Sequence, residues 1–230
     1  KPKVFCVLAV ILDLGVLIFF KYLDFLLCQV LRLPVQDLGV VAPLGISFYI
    51  FKCISYVVDT YRNKEEGTSN FWELLLYVSF FPQLIAGPIV NYTDISGSLG
   101  ARKITLTDIY QGFLRFLIGF SKKVLLANPC GALAETMILS DAVAADPSML
   151  AANLQQLGQQ SVLGTWLGII AYSLHIYLDF SAYSDMAIGM GRMIGLHYLE
   201  NFNFPYISRT VTEFWRRWHM SLGTFFRDYV

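Results

Sequence analysis

The residues best suited to chemistry lie near the end of the printed sequence, in the stretch F-W-R-R-W-H-M-S-L at 214–222. It contains one histidine, His219, two arginines, Arg216 and Arg217, and two tryptophans, the first of which is Trp215. An imidazole can accept a proton from a hydroxyl group, and guanidinium groups can bind phosphate. Such groups are costly inside a membrane, so in an otherwise apolar chain they indicate a function.

Helical periodicity predicts the environment of His219. On a helix that begins at Val211, His219 shares one face with Trp215, Leu222 and Phe226. Burial on that face disfavours the charged imidazolium, which predicts a neutral imidazole near neutral pH. A neutral imidazole can act as a general base. The alternative is a structural histidine that is hydrogen-bonded among aromatic rings.

A second polar cluster, D-F-S-A-Y-S-D at 179–185, contains Asp179, Tyr183 and Asp185. Carboxylates at membrane depth usually face a cavity or a partner, so these residues either line a substrate path or bond neighbouring helices. His175 lies four residues before Asp179, and the two could form a proton relay, a metal pair or a structural hydrogen bond. Two ligands without a third make a weak metal site, so no metal is predicted.

Arg216 and Arg217 allow two interpretations. They could hold the phosphates of a coenzyme or a lipid headgroup, or they could be ordinary basic residues that flank a membrane segment. The glycines at 189–195 do not predict a dinucleotide loop, because no strand precedes them. Together with Gly164 and Gly168 they indicate close helix packing.

The composition indicates what kind of protein positions these residues. Hydrophobic residues make up 56% of the 230 residues and charged residues 15%, whereas soluble domains have about 25% charged residues. We therefore expect an all-α integral membrane protein, a multi-span helical bundle that forms a single membrane domain over residues 1–230. The net charge is zero, which gives no electrostatic basis for binding nucleic acid.

Six apolar segments are candidate membrane-spanning helices. The third contains Pro82, Gly87 and Pro88, which break a helical pattern, so it is predicted to be re-entrant or kinked. Irregular backbone at membrane depth has to be buried in protein or to face water. The segments are Val4–Phe20 with apolar residues resuming to Leu27, Leu38–Val58, Phe71–Ile89, Ile109–Ala127, Val162–Phe180 and Tyr183–Leu196.

Loop charges predict the orientation of these segments. Between Val124 and Gly191 the sequence has no lysine or arginine, whereas basic residues flank the other segments. By the positive-inside rule the basic loops are cytoplasmic and the 128–161 loop is external, although Lys122 and Lys123 fit poorly. Both ends of the third segment are then cytoplasmic, as expected for re-entry. The basic loop residues are Lys1, Lys3, Arg62, Lys64, Arg102, Lys103, Arg192, Arg209, Arg216, Arg217 and Arg227.

Four segments in a set order carry a family resemblance. They are P-L-G-I-S-F-Y-I-F-K-C-I-S-Y-V-V-D-T-Y-R at 43–62, F-F-P-Q-L-I-A-G-P-I at 80–89, Y-L-D-F-S-A-Y-S-D-M-A-I-G at 177–189, and E-N-F-N-F-P-Y-I-S-R-T-V-T-E-F-W-R-R-W-H-M-S-L-G-T-F-F-R-D-Y-V at 200–230. The chain resembles the membrane-bound O-acyltransferase family, in its bacterial branch of alginate O-acetylation and teichoic acid D-alanyl transfer. Ala182 stands where the family commonly has glycine. His175 stands where glutamine is usual, so it receives no catalytic role.

The resemblance implies a multi-pass enzyme of the bacterial inner membrane. It is expected to transfer an acyl group, acetyl in the leading interpretation, to hydroxyls of an exported polysaccharide. The donor is a cytoplasmic thioester, acetyl-CoA or an acyl carrier protein, with no bound cofactor. The expected partners are membrane lipid, the polysaccharide and a periplasmic or extracellular acetyltransferase that receives the acyl group.

His219 matches the first of two family histidines. The second is expected beyond residue 230, in a C-terminal portion that is missing together with an N-terminal one. Asp179, Tyr183 and Asp185 would shape the pore, and Arg216 and Arg217 would hold the phosphates of the donor. Three alternatives stay open: D-alanyl transfer to teichoic acid, a polysaccharide or ion transporter, and a non-catalytic scaffold of an export complex.

Overall fold

The computed structural model describes residues 2–33, 38–63, 67–85, 87–100, 104–138 and 147–230. Within these ranges every regular element is a helix and none is a strand, which confirms the all-α class. The helices are α1 (Pro2–Leu17), α2 (Ile46–Arg62), α3 (Phe71–Ser79), α4 (Tyr92–Gly100), α5 (Leu106–Lys122), α6 (Asn128–Met137), α7 (Pro147–Gly158), α8 (Val162–Met193), α9 (Val211–Trp215) and α10 (Met220–Tyr229). π-helical turns extend α1 and join α5 to α6, and short 3₁₀ turns lie at Phe81–Gln83 and Pro205–Ile207.

Two helical stretches are long and apolar enough to cross a membrane, Pro2–Tyr22 and Val162–Met193. The first contains the first predicted span. The prediction of separate fifth and sixth segments is wrong, because α8 runs without a break over 32 residues. Its serines do not interrupt it, since the hydroxyls of Ser173 and Ser181 donate to carbonyls of the preceding turn at 2.9 and 3.4 Å. A bundle with more than these two spans remains a prediction.

The second predicted span, at 38–58, is helical only from Ile46 onward, so the prediction is wrong for its first part. Gly45, directly before α2, has a φ of +76°, a conformation that glycine adopts without steric cost. A Cβ on Gly45 would collide with the carbonyl group of Leu84. Glycine therefore permits both the turn into α2 and the close approach of the irregular segment that follows α3.

The predicted break in the third segment is confirmed. α3 ends at Ser79, one 3₁₀ turn follows, and the described residues 84–85 and 87–90 are irregular. Ile89 packs in an apolar cluster with α1, α2 and α10, whereas Val90 packs in a second cluster with α3, α4 and α8. The irregular backbone is therefore buried between two parts of the core, as membrane-embedded backbone has to be. Its re-entrant path remains a prediction.

α5 and α8 pack closely because glycines face each other. A Cβ on Gly189 would lie 2.6 Å from the carbonyl oxygen of Gly112 and 2.7 Å from the amide nitrogen of Phe116. Likewise, a Cβ on Gly168 would lie 2.7 Å from the Cβ of Met137 at the end of α6. The interpretation as packing residues is confirmed for Gly168 and Gly189. Their packing holds the polar residues of α8 directly against α5.

The predicted orientation rests partly on loop charges outside the described ranges. These are Lys1, Lys64, Arg102 and Lys103. The assignment of cytoplasmic and external loops therefore remains a prediction.

Candidate active site

His219 lies at a break between two short helices, so the prediction of one continuous helix from Val211 is wrong. α9 ends at Trp215 and α10 begins at Met220. The amide of Met220 donates to the carbonyl of Asn201 at 3.0 Å and not to the carbonyl four residues earlier. His219 itself has a φ of +43°, in the left-handed region that few residues other than glycine adopt.

The His219 side chain is nevertheless buried, at 8% exposure. Its ring packs edge-on against Phe180 of α8 with the ring centroids 4.8 Å apart. Burial lowers the pKa of His219 to about 4, so the imidazole is neutral near neutral pH. Its Nε2 atom is buried and has no hydrogen-bond partner among the described residues. A neutral imidazole with an open nitrogen is able to accept a proton.

Trp218 anchors the turn that carries His219. Its ring lies 5.1 Å from the ring of Phe202 and 5.5 Å from that of Phe214, and it also packs on α8. Aromatic pairs of this kind contribute about 0.5–1.5 kcal/mol each beyond the area they bury. Trp215, in contrast, is 59% exposed. It therefore does not share a buried face with His219, and its donor-binding or pore-lining role remains a prediction.

The two arginines differ in their surroundings. Nη2 of Arg217 lies 3.0 Å from Oε1 of Glu213, and Nη1 donates to the carbonyl of Asn203 at 3.1 Å. Hydrogen bonds from the backbone of Arg209 and from Arg217 hold the pKa of Glu213 below its usual value, which keeps this pair charged. Arg216 is exposed, and its guanidinium contacts no partner in the described part of the chain. Arg216 is therefore available to a phosphate, whereas Arg217 is already engaged.

Asp185, in the C-terminal half of α8, belongs to an ion-pair network with α5. Its carboxylate accepts from Arg115, with 2.6 Å between Oδ1 and Nη2, and also from the ammonium group of Lys122. One turn and a half earlier on α8, Asp179 pairs with Lys123. Lys122 and Lys123, which fit poorly with the predicted orientation, are thus each paired with a carboxylate of α8. This pairing explains why positive charges occur in an apolar segment.

His175 and Asp179 have separate partners. Nδ1 of His175 lies 2.8 Å from the carbonyl oxygen of Ala127, whereas Asp179 pairs with Lys123. The geometry thus supports a structural hydrogen bond for His175, although to the backbone of another helix and not to Asp179. No group of three or more metal-ligating side chains occurs in the ranges that the structure describes. Tyr183 is partly buried on the same helix, and its pore-lining role remains a prediction.

A cavity of about 320 Å³ lies beside the ion-pair network. Arg115, Lys122 and Asp185 form its charged side, and Phe202 forms part of its aromatic side. The ring of Phe202 also lies 5.0 Å from that of Phe180, against which the imidazole of His219 packs. The structure therefore brings the two predicted polar clusters to one aromatic patch.

Sequence reasoning missed several residues of this region. Arg115 forms a bidentate pair with Glu200 at 2.6 and 3.1 Å, which extends the network beyond α8. The seven-residue spacing of Arg115 and Lys122 places both on one helix face and was a usable signal. Asn201 and Ser221 bond each other beside the catalytic candidate, but no local pattern predicts a contact across 20 residues.

Comparisons with known proteins match most of the chain. The model of MBOAT, the membrane-bound O-acyltransferase family, matches residues 53–230. A probable alginate O-acetylase of Azotobacter vinelandii is 41% identical over 97% of this chain and 43% of its own length. A peptidoglycan O-acetyltransferase of Helicobacter pylori is 30% identical over 99% of this chain and 46% of its own length. A teichoic acid D-alanyltransferase of Bacillus subtilis is 30% identical over 81% of this chain and 44% of its own length. The chain spans less than half the length of these curated relatives.

Proposed function

Because the chain belongs to the membrane-bound O-acyltransferase family, we propose that the protein is an O-acyltransferase that acetylates an exported polysaccharide. The donor is a cytoplasmic thioester, acetyl-CoA or an acyl carrier protein. The acetyl group reaches the hydroxyls of the polysaccharide directly or through a periplasmic or extracellular acetyltransferase partner. The protein acts as a multi-pass protein of the bacterial inner membrane, surrounded by lipid.

The observation that supports this function best is the state of His219. Its imidazole is buried, its lowered pKa keeps it neutral, and Nε2 is open among the described residues. A histidine that only stabilised the turn would be expected to use that nitrogen in a hydrogen bond, because buried polar groups are almost always paired. An open, neutral nitrogen is what a general base for a hydroxyl nucleophile requires.

The reaction then needs one proton to move twice. A hydroxyl oxygen of the acceptor attacks the thioester carbonyl carbon while Nε2 of His219 takes the hydroxyl proton. The carbon–sulfur bond breaks, and the imidazolium returns the proton to the departing thiolate. The products are an ester and a free thiol, and the imidazole is again neutral. Because burial disfavours the imidazolium, it returns this proton readily.

Arg216 is the better candidate of the two arginines for holding the donor. It is exposed and unengaged within the described ranges, whereas Arg217 is bonded to Glu213 and Asn203. A guanidinium group can form two parallel hydrogen bonds to a phosphate, which both donor types carry. Asp179, Tyr183 and Asp185 shape the polar surroundings of the path.

Acetyl transfer is favoured over D-alanyl transfer by the degree of similarity. The chain is 41% identical to the probable alginate O-acetylase and 30% identical to the teichoic acid D-alanyltransferase. The peptidoglycan O-acetyltransferase is also named for acetylation of a cell-surface polymer. An alginate-like polysaccharide is therefore the first acceptor to examine.

The proposal is tested by measuring the acetyl content of the host's exported polysaccharide. The wild-type protein is compared with His219→Ala at matched membrane abundance. His197→Ala is the matched control, since the side chain of His197 is 65% exposed and its Nε2 lies 3.7 Å from Oδ1 of Asp108. We expect acetylation to be lost with His219→Ala and retained with His197→Ala.

Three results would be informative in different ways. Loss of acetyl groups with His219→Ala supports both the class and the role of this residue. Loss of D-alanyl esters in place of acetyl groups would move the protein to the D-alanyl branch. Unchanged acylation in the presence of abundant His219→Ala protein would refute the catalytic role and favour the scaffold or transport alternatives.

A further inference from the structure

The backbone at His219 is in a conformation that needs outside support. A φ of +43° is unfavourable for a residue with a Cβ, and such conformations persist only where the surrounding structure enforces them. His219 is also the residue that precedes the first turn of α10, yet its side chain makes no capping hydrogen bond. The first amides of α10 therefore need acceptors from elsewhere.

Asn201 supplies two of those acceptors. Its backbone carbonyl accepts from the amide of Met220 at 3.0 Å, and its side-chain Oδ1 accepts from the amide of Ser221 at 3.3 Å. The next two amides, of Leu222 and Gly223, donate to the carbonyl of His219. Asn201 thus provides the capping that a residue in the position of His219 usually provides with its own side chain. The imidazole of His219 is therefore not used to cap α10.

Ser221 extends this support to a third part of the chain. Its hydroxyl donates to Oδ1 of Asn201 at 2.9 Å and accepts from the amide of Ile89 at 2.9 Å. All three residues are buried, with 1, 7 and 7% exposure for Asn201, Ser221 and Ile89. The hydroxyl of Ser221 therefore joins three parts of the chain: the buried irregular segment after α3, the loop after α8 and the start of α10.

A further hydrogen bond holds the chain on the N-terminal side of His219. The amide of Asn203 donates to the carbonyl of Arg217 at 2.9 Å, two residues before His219. Together with the bonds of Asn201, this bond holds the loop alongside residues 217–221. The histidine is thus bracketed by hydrogen bonds on both sides.

We propose that Asn201, acting through Ser221, is a positioning residue that sets the backbone of His219 and the direction of its open Nε2 atom during acyl transfer. The inference rests on the proposed function, because it assigns a role in the same reaction. Asn201 touches neither donor nor acceptor in this proposal. Its effect is on the alignment of the base, and a displacement of about 1 Å at such a group can lower a rate by about 100-fold.

The test uses purified full-length enzyme in proteoliposomes, with acetyl-CoA as donor and an alginate oligosaccharide as acceptor. We expect Asn201→Ala to lower kcat by about 10- to 100-fold while KM for the donor changes by no more than about twofold. Asn201→Asp keeps an acceptor for Ser221 and is expected to restore most of kcat. Ser221→Ala removes the hydroxyl, with its bonds to Asn201 and to the amide of Ile89, but keeps the backbone amide of residue 221, and it is expected to lower kcat in the same way.

Tyr77→Phe is the matched control for the loss of a buried hydrogen bond. The hydroxyl of Tyr77 is fully buried and donates to the carbonyl of Val90 at 2.9 Å, on the same irregular segment but in the other apolar cluster. It is expected to lower the melting temperature with kcat unchanged. In a His219→Ala background, Asn201→Ala is expected to cause no further loss of rate.

The outcomes separate this inference from the proposed function. If His219→Ala retains full activity, the proposed role of His219 fails, and the positioning role fails with it. If His219→Ala is inactive but Asn201→Ala and Ser221→Ala behave like Tyr77→Phe, the positioning role alone is refuted. A fall in kcat that Asn201→Asp reverses supports it, and Ser221→Ala answers the same question if Asn201→Ala protein does not accumulate.

Discussion

The acid side of the activity–pH profile tests the environment of His219 most directly. Base catalysis requires neutral imidazole, and the pKa of His219 is lowered to about 4 by burial. At about pH 5.5 an imidazole with this pKa is about 97% neutral, whereas an ordinary histidine with a pKa of about 6.5 is about 9% neutral. Lowering the pH from about 7.5 to about 5.5 should therefore leave the rate of folded enzyme nearly unchanged, instead of reducing it about tenfold.

The same lowered pKa predicts a separate effect on stability. The native state binds fewer protons than the unfolded state between about pH 4 and about pH 6.5, so the stability from this group is fully present above that window. It is lost as the pH falls through the window, by about 1.4 kcal/mol at about pH 5.5 and about 3 kcal/mol in total. The enzyme should thus become less stable before its folded form becomes less active.

The assay is kcat/KM for acetyl-CoA, from initial rates of acetyl transfer in proteoliposomes, because kcat/KM reports the pKa of a base in the free enzyme. Thermal unfolding is measured at each pH. His197→Ala enzyme serves as the reference, because it removes a histidine whose side chain is 65% exposed and leaves His219 in place. A tenfold fall in rate with a midpoint near pH 6.5, in protein that remains folded, would show that the catalytic imidazole is solvated. That result would refute the burial from which the neutral base is inferred.

Two further predictions follow from the packing and from the arginines. Gly189→Ala should destabilise the protein by about 1–3 kcal/mol, because its Cβ would meet backbone atoms of α5. Gly15→Ala is the control: no atom lies within 4 Å of its Cβ, so it should be neutral or stabilising by up to about 1 kcal/mol. Equal melting temperatures of the two variants in detergent would contradict the close packing of α5 and α8. Arg216→Ala should raise the KM for acetyl-CoA several-fold with little change in melting temperature. Arg217→Ala should lower the melting temperature, because it removes the ion pair with Glu213 and the bond to the carbonyl of Asn203. Similar effects of both variants on KM would refute the assignment of Arg216 alone.

The features that the sequence predicted correctly are those that depend on local patterns. Long apolar runs predicted the first helix, and Pro82, Gly87 and Pro88 predicted the break after α3, because each of these signals acts within one turn of helix. Glycines at matching intervals predicted close packing of helices. The polar cluster at 179–185 and His219 were selected because ionisable groups are rare in apolar sequence.

The predictions that failed depend on contacts between distant residues. Local periodicity favoured a single helix through His219, but the amide of Met220 bonds to Asn201, which no sequence pattern indicates. Periodicity was also unable to distinguish Trp215, which is exposed, from Trp218, whose ring packs on α8. The fifth and sixth segments were divided at polar residues, although Asp185 and its neighbours are accommodated inside one helix by cations of α5.

Three locally unfavourable features of the chain lie next to one another around His219. Irregular backbone at Ile89, a left-handed backbone at His219 and a buried polar pair of Asn201 and Ser221 are each unfavourable alone. Each stabilises the others, because the hydroxyl of Ser221 bonds to both Ile89 and Asn201. Natural sequences retain such local conflicts mainly at functional sites. The resulting arrangement fixes the backbone that carries His219 and leaves its Nε2 as a buried atom without a hydrogen-bond partner among the described residues.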